Sequence, residues 1–126
     1  MNGSLEEWIS KAEGDYRVAA RELKNVESPN FDAVCFHAQQ CDEKLIKAAI
    51  IKHGDTPPKI HDLRKLDRLA KDLGIDLQES TENLRLLSMS AVLSRYPGES
   101  ADREDAVRAF EICSNLRAKL LALLEK

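Results

Sequence analysis

Apolar residues recur along this chain at the three- and four-residue intervals of amphipathic helices, and no segment longer than a few residues alternates as a strand would. The first periodic stretch covers about residues 4 to 26. Leu5, Trp8, Ile9, Ala12, Tyr16, Ala19, Ala20 and Leu23 form one stripe, and Ser4 with Glu7 three residues on reads as a capping box. Ser28-Pro29 supplies a stop and a new start. The second stretch runs from about Asn30 to His53, with Phe31, Val34, Cys35, Ala38, Leu45, Ala48 and Ala49 on one side and Phe36, Ile46, Ile50 and Ile51 spread more widely. An apolar surface broader than one stripe predicts a central helix with neighbours on more than one side.

Gly54 ends that helix, and Pro57-Pro58 stiffen the longest break in the pattern, residues 54 to 61. A short third helix is predicted from Asp62 to Leu73, with Leu63, Leu66, Leu69, Ala70 and Leu73 inward and Gly74 as its stop. Asp76 with Glu79 reads as a second capping box, which predicts a fourth helix from near Leu77 to Arg95. Pro97-Gly98 breaks it. The fifth helix starts after Ser100, and its stripe Ala106, Ala109, Phe110, Cys113, Leu116, Leu120, Leu123 and Leu124 reaches almost to the last residue. The pattern predicts an all-α fold, an antiparallel bundle of four long helices plus one short helix, in a single domain over residues 1–126.

Composition excludes several classes of function. Charged residues make up 33% and apolar ones 43%, as expected of a globular chain and not of a disordered one. The formal net charge of −3 creates no overall field toward nucleic acid or an anionic membrane, so any such contact needs a local basic patch. The polar, acidic start is unlike a signal peptide and no apolar run approaches a membrane span, which together point to the cytoplasm. Three cysteines at unpaired spacing argue against a disulfide framework. His37 and Cys41, four apart, share a helical face, but zinc needs further ligands that the spacing does not offer. Small buried hydrophobes are the plainer reading of the cysteines, and no metal site or cofactor is expected.

Candidate chemistry is concentrated at three places. Arg95-Tyr96-Pro97-Gly98-Glu99 gathers a cation, a phenol and a carboxylate where a helix must stop. The run suits a phosphate or nucleotide, and it equally suits an ordinary helix C-terminus whose cation complements the dipole. On the second helix Gln40, Glu43, Lys44 and Lys47 make a polar stripe. If that helix is central, a lysine there requires a carboxylate or an anionic ligand; otherwise the stripe is a solvated face with Glu43–Lys47 as an i,i+4 pair. His61-Asp62 stands where the stiff loop meets the third helix, with Asp62 as N-cap and His61 as structural hydrogen-bonder or proton carrier. Arg64, Lys65, Arg68 and Lys71 are interleaved with Asp62, Asp67 and Asp72, a mixed surface and not a phosphate-tracking stripe.

Several of these pieces, in order, resemble the HEPN family (higher eukaryotes and prokaryotes nucleotide-binding), in its small stand-alone prokaryotic form. They are Trp8 with Ala12-Glu13 and Asp15, Phe36-His37-Ala38-Gln39-Gln40 followed by Glu43-Lys44 and Lys47, His61-Asp62-Leu63, and Arg95 to Glu99. The resemblance covers about residues 4 to 125. It implies an antiparallel helical bundle, a homodimer with a cleft between protomers, and a separate minimal nucleotidyltransferase as partner in toxin-antitoxin or defence modules. Other members are metal-independent RNases marked by an arginine, four to six residues, then a histidine. That signature is missing: Ser100, Ala101 and Asp102 stand where the histidine would follow Arg95, and none of His37, His53 or His61 has a suitably placed arginine upstream. The resemblance therefore implies a non-catalytic module that binds a nucleotide or polyphosphate, or the nucleotidyltransferase, with RNA the less favoured ligand. Arg95, Tyr96, Lys44, Lys47, Gln40, Glu43 and His61 are the expected ligand-binding residues. The alternative is a ribonuclease using Arg95 with His61.

Overall fold

The computed structural model describes residues 3–93 and 96–125, and among them every regular element is helical. The elements are α1 (Leu5–Lys24), α2 (Phe31–Lys52), α3 (Leu63–Asp72), α4 (Thr81–Leu93) and α5 (Arg103–Leu124). The expected all-α bundle is present, and none of the five is long and apolar enough to cross a membrane.

Local chemistry accounts for most of the boundaries. Ser4 and Glu7 form the capping box expected at α1. Asn30, Asp62 and Asp102 cap α2, α3 and α5 by accepting backbone N–H groups that the first turn would leave unpaired. At the other end of α5, Lys52 of α2 donates to the carbonyls of Leu123 and Leu124, which places a cation on the negative end of the helix dipole.

The start of α4 differs from expectation. Asp76 and Glu79 do not form a capping box. Asp76 Oδ1 instead accepts from the Gln78 N–H in an Asx turn, and Gln78 takes φ 54°, which no helix start tolerates. Residues 75 to 80 are therefore outside any helix, with Ile75 and Leu77 buried and Asp76 and Gln78 exposed. Ser80 is the effective cap, accepting from the Asn83 N–H at 3.1 Å. Leu69, expected inward, is exposed.

Helix α2 is the axis of the bundle and packs against each of the other four. Thirteen of its residues are buried against only two in α1, so α2 forms the interior while α1 covers one side of it. The core joins Leu45, Ile46, Ile50, Leu63, Leu66, Leu84, Leu87, Leu116 and Leu120 into one cluster. This central position has a cost: Gln39, Asp42, Glu43 and Lys47 are carried into the interior with the apolar residues.

Candidate functional site

The polar stripe of α2 is not a solvated face. Glu43 and Lys47, each about 5% exposed, are paired at 3.1 Å, and Lys47 also lies 5.9 Å from the centre of the Trp8 ring. Gln39 Nε2 donates to Glu43 Oε1 at 3.0 Å and to the His61 carbonyl at 2.9 Å. Gln40 Nε2 donates to Gln39 Oε1, and Gln40 Oε1 accepts from Lys44, whose ammonium contacts Asp15 of α1 at 2.5 Å. His37 Nδ1 stands 2.8 Å from the other Asp15 oxygen. One hydrogen-bonded chain thus runs from α1 through α2 to the entrance of α3.

That chain ends on His61. Its Nδ1 lies 3.1 and 3.0 Å from the two Glu43 oxygens, while its side chain is 71% exposed. A carboxylate on Nδ1 fixes the ring's orientation and leaves Nε2 for solvent or a ligand. Burial pushes the Glu43 carboxyl up, but hydrogen bonds from Gln39 and His61 and the Lys47 ammonium outweigh it, so the group is held below the ordinary glutamate value. Asp62 caps α3 through the Arg64 N–H, and the Leu63 N–H donates to Ser88 Oγ, which ties this corner to α4.

Between the entrance of α3 and the outer face of α4 lies a cavity of about 270 Å³, lined by Gln39, His61, Asp62, Arg64, Arg85, Ser88, Met89, Ala91, Val92 and Leu93. Two guanidinium groups and an imidazole border an apolar floor. Both arginines have acidic neighbours, Arg64 with Asp62 at 3.5 Å and Arg85 with Glu82 at 2.6 Å. The chemistry on offer is anion binding beside a flat apolar surface, with an oriented histidine for proton transfer.

A family model described as HEPN domain matches residues 5–123. The chain belongs to the HEPN family. This HEPN chain is also similar in structure to protein TT1696 of Thermus thermophilus, a crystal structure, at TM-score 0.75 and 19% identity, covering 94% of this chain and 96% of that one. At that identity the likeness speaks for the fold. No match is found among curated proteins.

Within the HEPN fold the expected ligand-binding residues other than Arg95 fall into three groups. His61 lines the cavity. Gln40, Glu43, Lys44 and Lys47 stand behind it, their polar atoms engaged within the chain's own network. Tyr96 is 59% exposed at a turn in which the Glu99 N–H bonds the Tyr96 carbonyl and Gly98 takes φ 90°. Arg95 lies outside the described residues.

Gln39, Arg64, Arg85 and Ser88 were not expected at the site. Arg64 belonged to a stretch of alternating charge, and nothing in the spacing of Arg85 marks it. Only the approach of α4 to the entrance of α3 places both beside His61.

The cysteine surroundings also differ from expectation. His37, the residue that shares a face with Cys41 in the sequence pattern, is turned to Asp15. Cys41 instead meets Asp42 and, from α5, Cys113, with one ligand atom of each within 4.8 Å of the others. All three cysteines are buried thiols, as expected of small hydrophobes, and burial pushes Cys35 up to about 11.

Proposed function

We propose that this HEPN chain is a non-catalytic binding module whose ligand, a nucleotide or polyphosphate, occupies the cavity between α3 and α4. The observation that carries this reading is the convergence of His61, Arg64 and Arg85 on one apolar-floored cavity. Arginine forks suit phosphate oxygens and the floor suits a base, so the two halves of a nucleotide each find a matching surface. The network behind His61 holds the site rigid and does not contact the ligand. Tyr96 and Arg95 are proposed as further ligand contacts on the family resemblance.

Met89, Val92 and Leu93 are exposed at the edge of the cavity, which favours a protein surface covering it. A second copy of the chain is the proposed cover, giving a homodimer with a shared cleft; a minimal nucleotidyltransferase is the alternative partner. Light scattering should give twice 14.2 kDa at micromolar concentration, and a monomer mass would remove the dimer from the proposal.

Calorimetric titration with ATP tests the ligand. Charge-assisted contacts of about 1.5–3 kcal/mol each, less the cost of association, place affinity in roughly the micromolar to millimolar range. Arg64→Ala and Arg85→Ala should each weaken binding by about 10- to 100-fold, because each removes one such contact. Affinity should fall as salt rises. Absence of heat at millimolar ATP would leave partner-protein binding as the function.

A second reading is favoured by one specific contact, Glu43 on His61 Nδ1. A histidine held by a carboxylate beside arginines is the arrangement of a general base in phosphodiester cleavage, with Arg95 as the further cation. RNA cleavage in EDTA that disappears in both His61→Ala and Arg95→Ala would establish the ribonuclease and overturn the binding module.

A further inference from the structure

Away from that cavity, on another face of α2, Asp42 is fully buried and neither of its oxygens has a hydrogen-bond partner among the described residues. A carboxyl in that condition has lost its hydration with nothing in exchange, so its presence in the core demands an explanation. Cys41 and Cys113, also without exposure, are its company. We propose that Cys41, Asp42 and Cys113 form a structural site for a thiophilic divalent cation, zinc being the first candidate.

Two thiolates and a carboxylate are zinc ligands, at about 2.3 Å for sulfur and about 2.0–2.2 Å for oxygen. Around one tetrahedral ion such atoms stand roughly 3.5–4 Å apart, and the three already lie within 4.8 Å of one another. Side-chain adjustment of less than about an ångström then suffices, with the backbones of α2 and α5 left in place. On binding, the two thiols and the carboxyl release three protons to solvent, and both unpartnered oxygens of Asp42 turn to the ion, so that two sulfurs and two oxygens supply its four donors. The three anions exceed the ion's charge by one.

The consequence is mechanical. Cys41 and Cys113 are 72 positions apart and belong to the central and the last helix of the bundle, so the ion would staple α2 to α5. Because all three donors are closed off from solvent, loading occurs as the bundle folds.

The test uses the full chain, unfolded and refolded under reducing conditions with stoichiometric zinc or cobalt(II), then freed of excess metal by gel filtration. The expected result is about one metal per chain by elemental analysis. The cobalt form should show the near-ultraviolet thiolate-to-metal charge-transfer band, and the thermal midpoint should exceed that of metal-free protein. Asp42→Asn, nearly isosteric, and Cys113→Ser should each weaken binding by about 100-fold or more, beyond the range of outer-shell changes. No retained metal overturns the proposal. So does a charge-transfer band of unchanged strength in Asp42→Asn, which would take the carboxylate out of the site; that variant remains decisive if Cys113→Ser fails to fold.

Discussion

Asp42 and Glu43 are neighbours in sequence, both carboxylic and both buried on α2, yet their surroundings drive them in opposite directions. Glu43 faces the entrance of α3, where Gln39, Lys47 and His61 converge on its oxygens. It is held below the ordinary glutamate value, and the charged form is the stable one. Asp42 lies beside the two thiols, and burial pushes it well above the ordinary aspartate value. A rotation of about 100° along one helix separates the two. Burial by itself therefore says little about a charged residue; the partners within hydrogen-bond reach decide whether it stabilises or costs.

The comparison breaks most visibly under one substitution made at both positions. Glu43→Ala leaves Lys47 charged and unpaired in the interior and releases His61 and Gln39, and urea denaturation should show a loss of about 3–5 kcal/mol. A loss below about 1 kcal/mol would mean that water replaces the carboxylate and that the network is not dry. The paired change Glu43→Leu with Lys47→Met removes both charges at once. It should recover most of that loss, and replacement of a buried ion pair by apolar residues is often neutral or stabilising by about 1–4 kcal/mol.

Asp42→Ala should act with the opposite sign in metal-free protein. It relieves a desolvation penalty of about 1–3 kcal/mol and forfeits a little packing, for a net gain on the order of 1 kcal/mol, measured by the same urea midpoints. A clear destabilisation would show that the carboxyl has a partner in solution. The smallest effect belongs to a surface pair. Glu13 and Arg117 join α1 to α5 at 2.8 and 2.9 Å while partly exposed, so Glu13→Gln should cost below about 1 kcal/mol and lose even that in high salt.

The position of His61 was legible in the sequence, because a histidine just before an aspartate N-cap at the end of a proline-stiffened loop can stand only at a helix entrance. The lysines of α2 were legible in part. The breadth of that helix's apolar surface implied that Lys47 needs a partner, and Glu43 is the partner it has, so no ligand is required to neutralise it. Arg85 was not legible, since its role depends on where α4 lies against α3. The start of α4 was misread for a related reason. Asp76 and Glu79 carry capping-box spacing, but Ile75 and Leu77 bury their side chains in a non-helical segment and Lys119 of α5 donates to the Gln78 carbonyl, contacts that the local spacing does not encode.

By itself the sequence determined the helical class, the number of helices, the caps at Ser4 and Asp62 and the central place of α2, because apolar periodicity and capping chemistry act over a few neighbouring residues. Which buried polar groups have partners, and which arginines border the cavity, was decided only by the tertiary structure. Glu43 finds His61 from 18 residues away, while the Cys113 thiol that comes to lie beside unpartnered Asp42 belongs to a different helix. Pairing across such separations depends on how the helices pack, which no local spacing specifies.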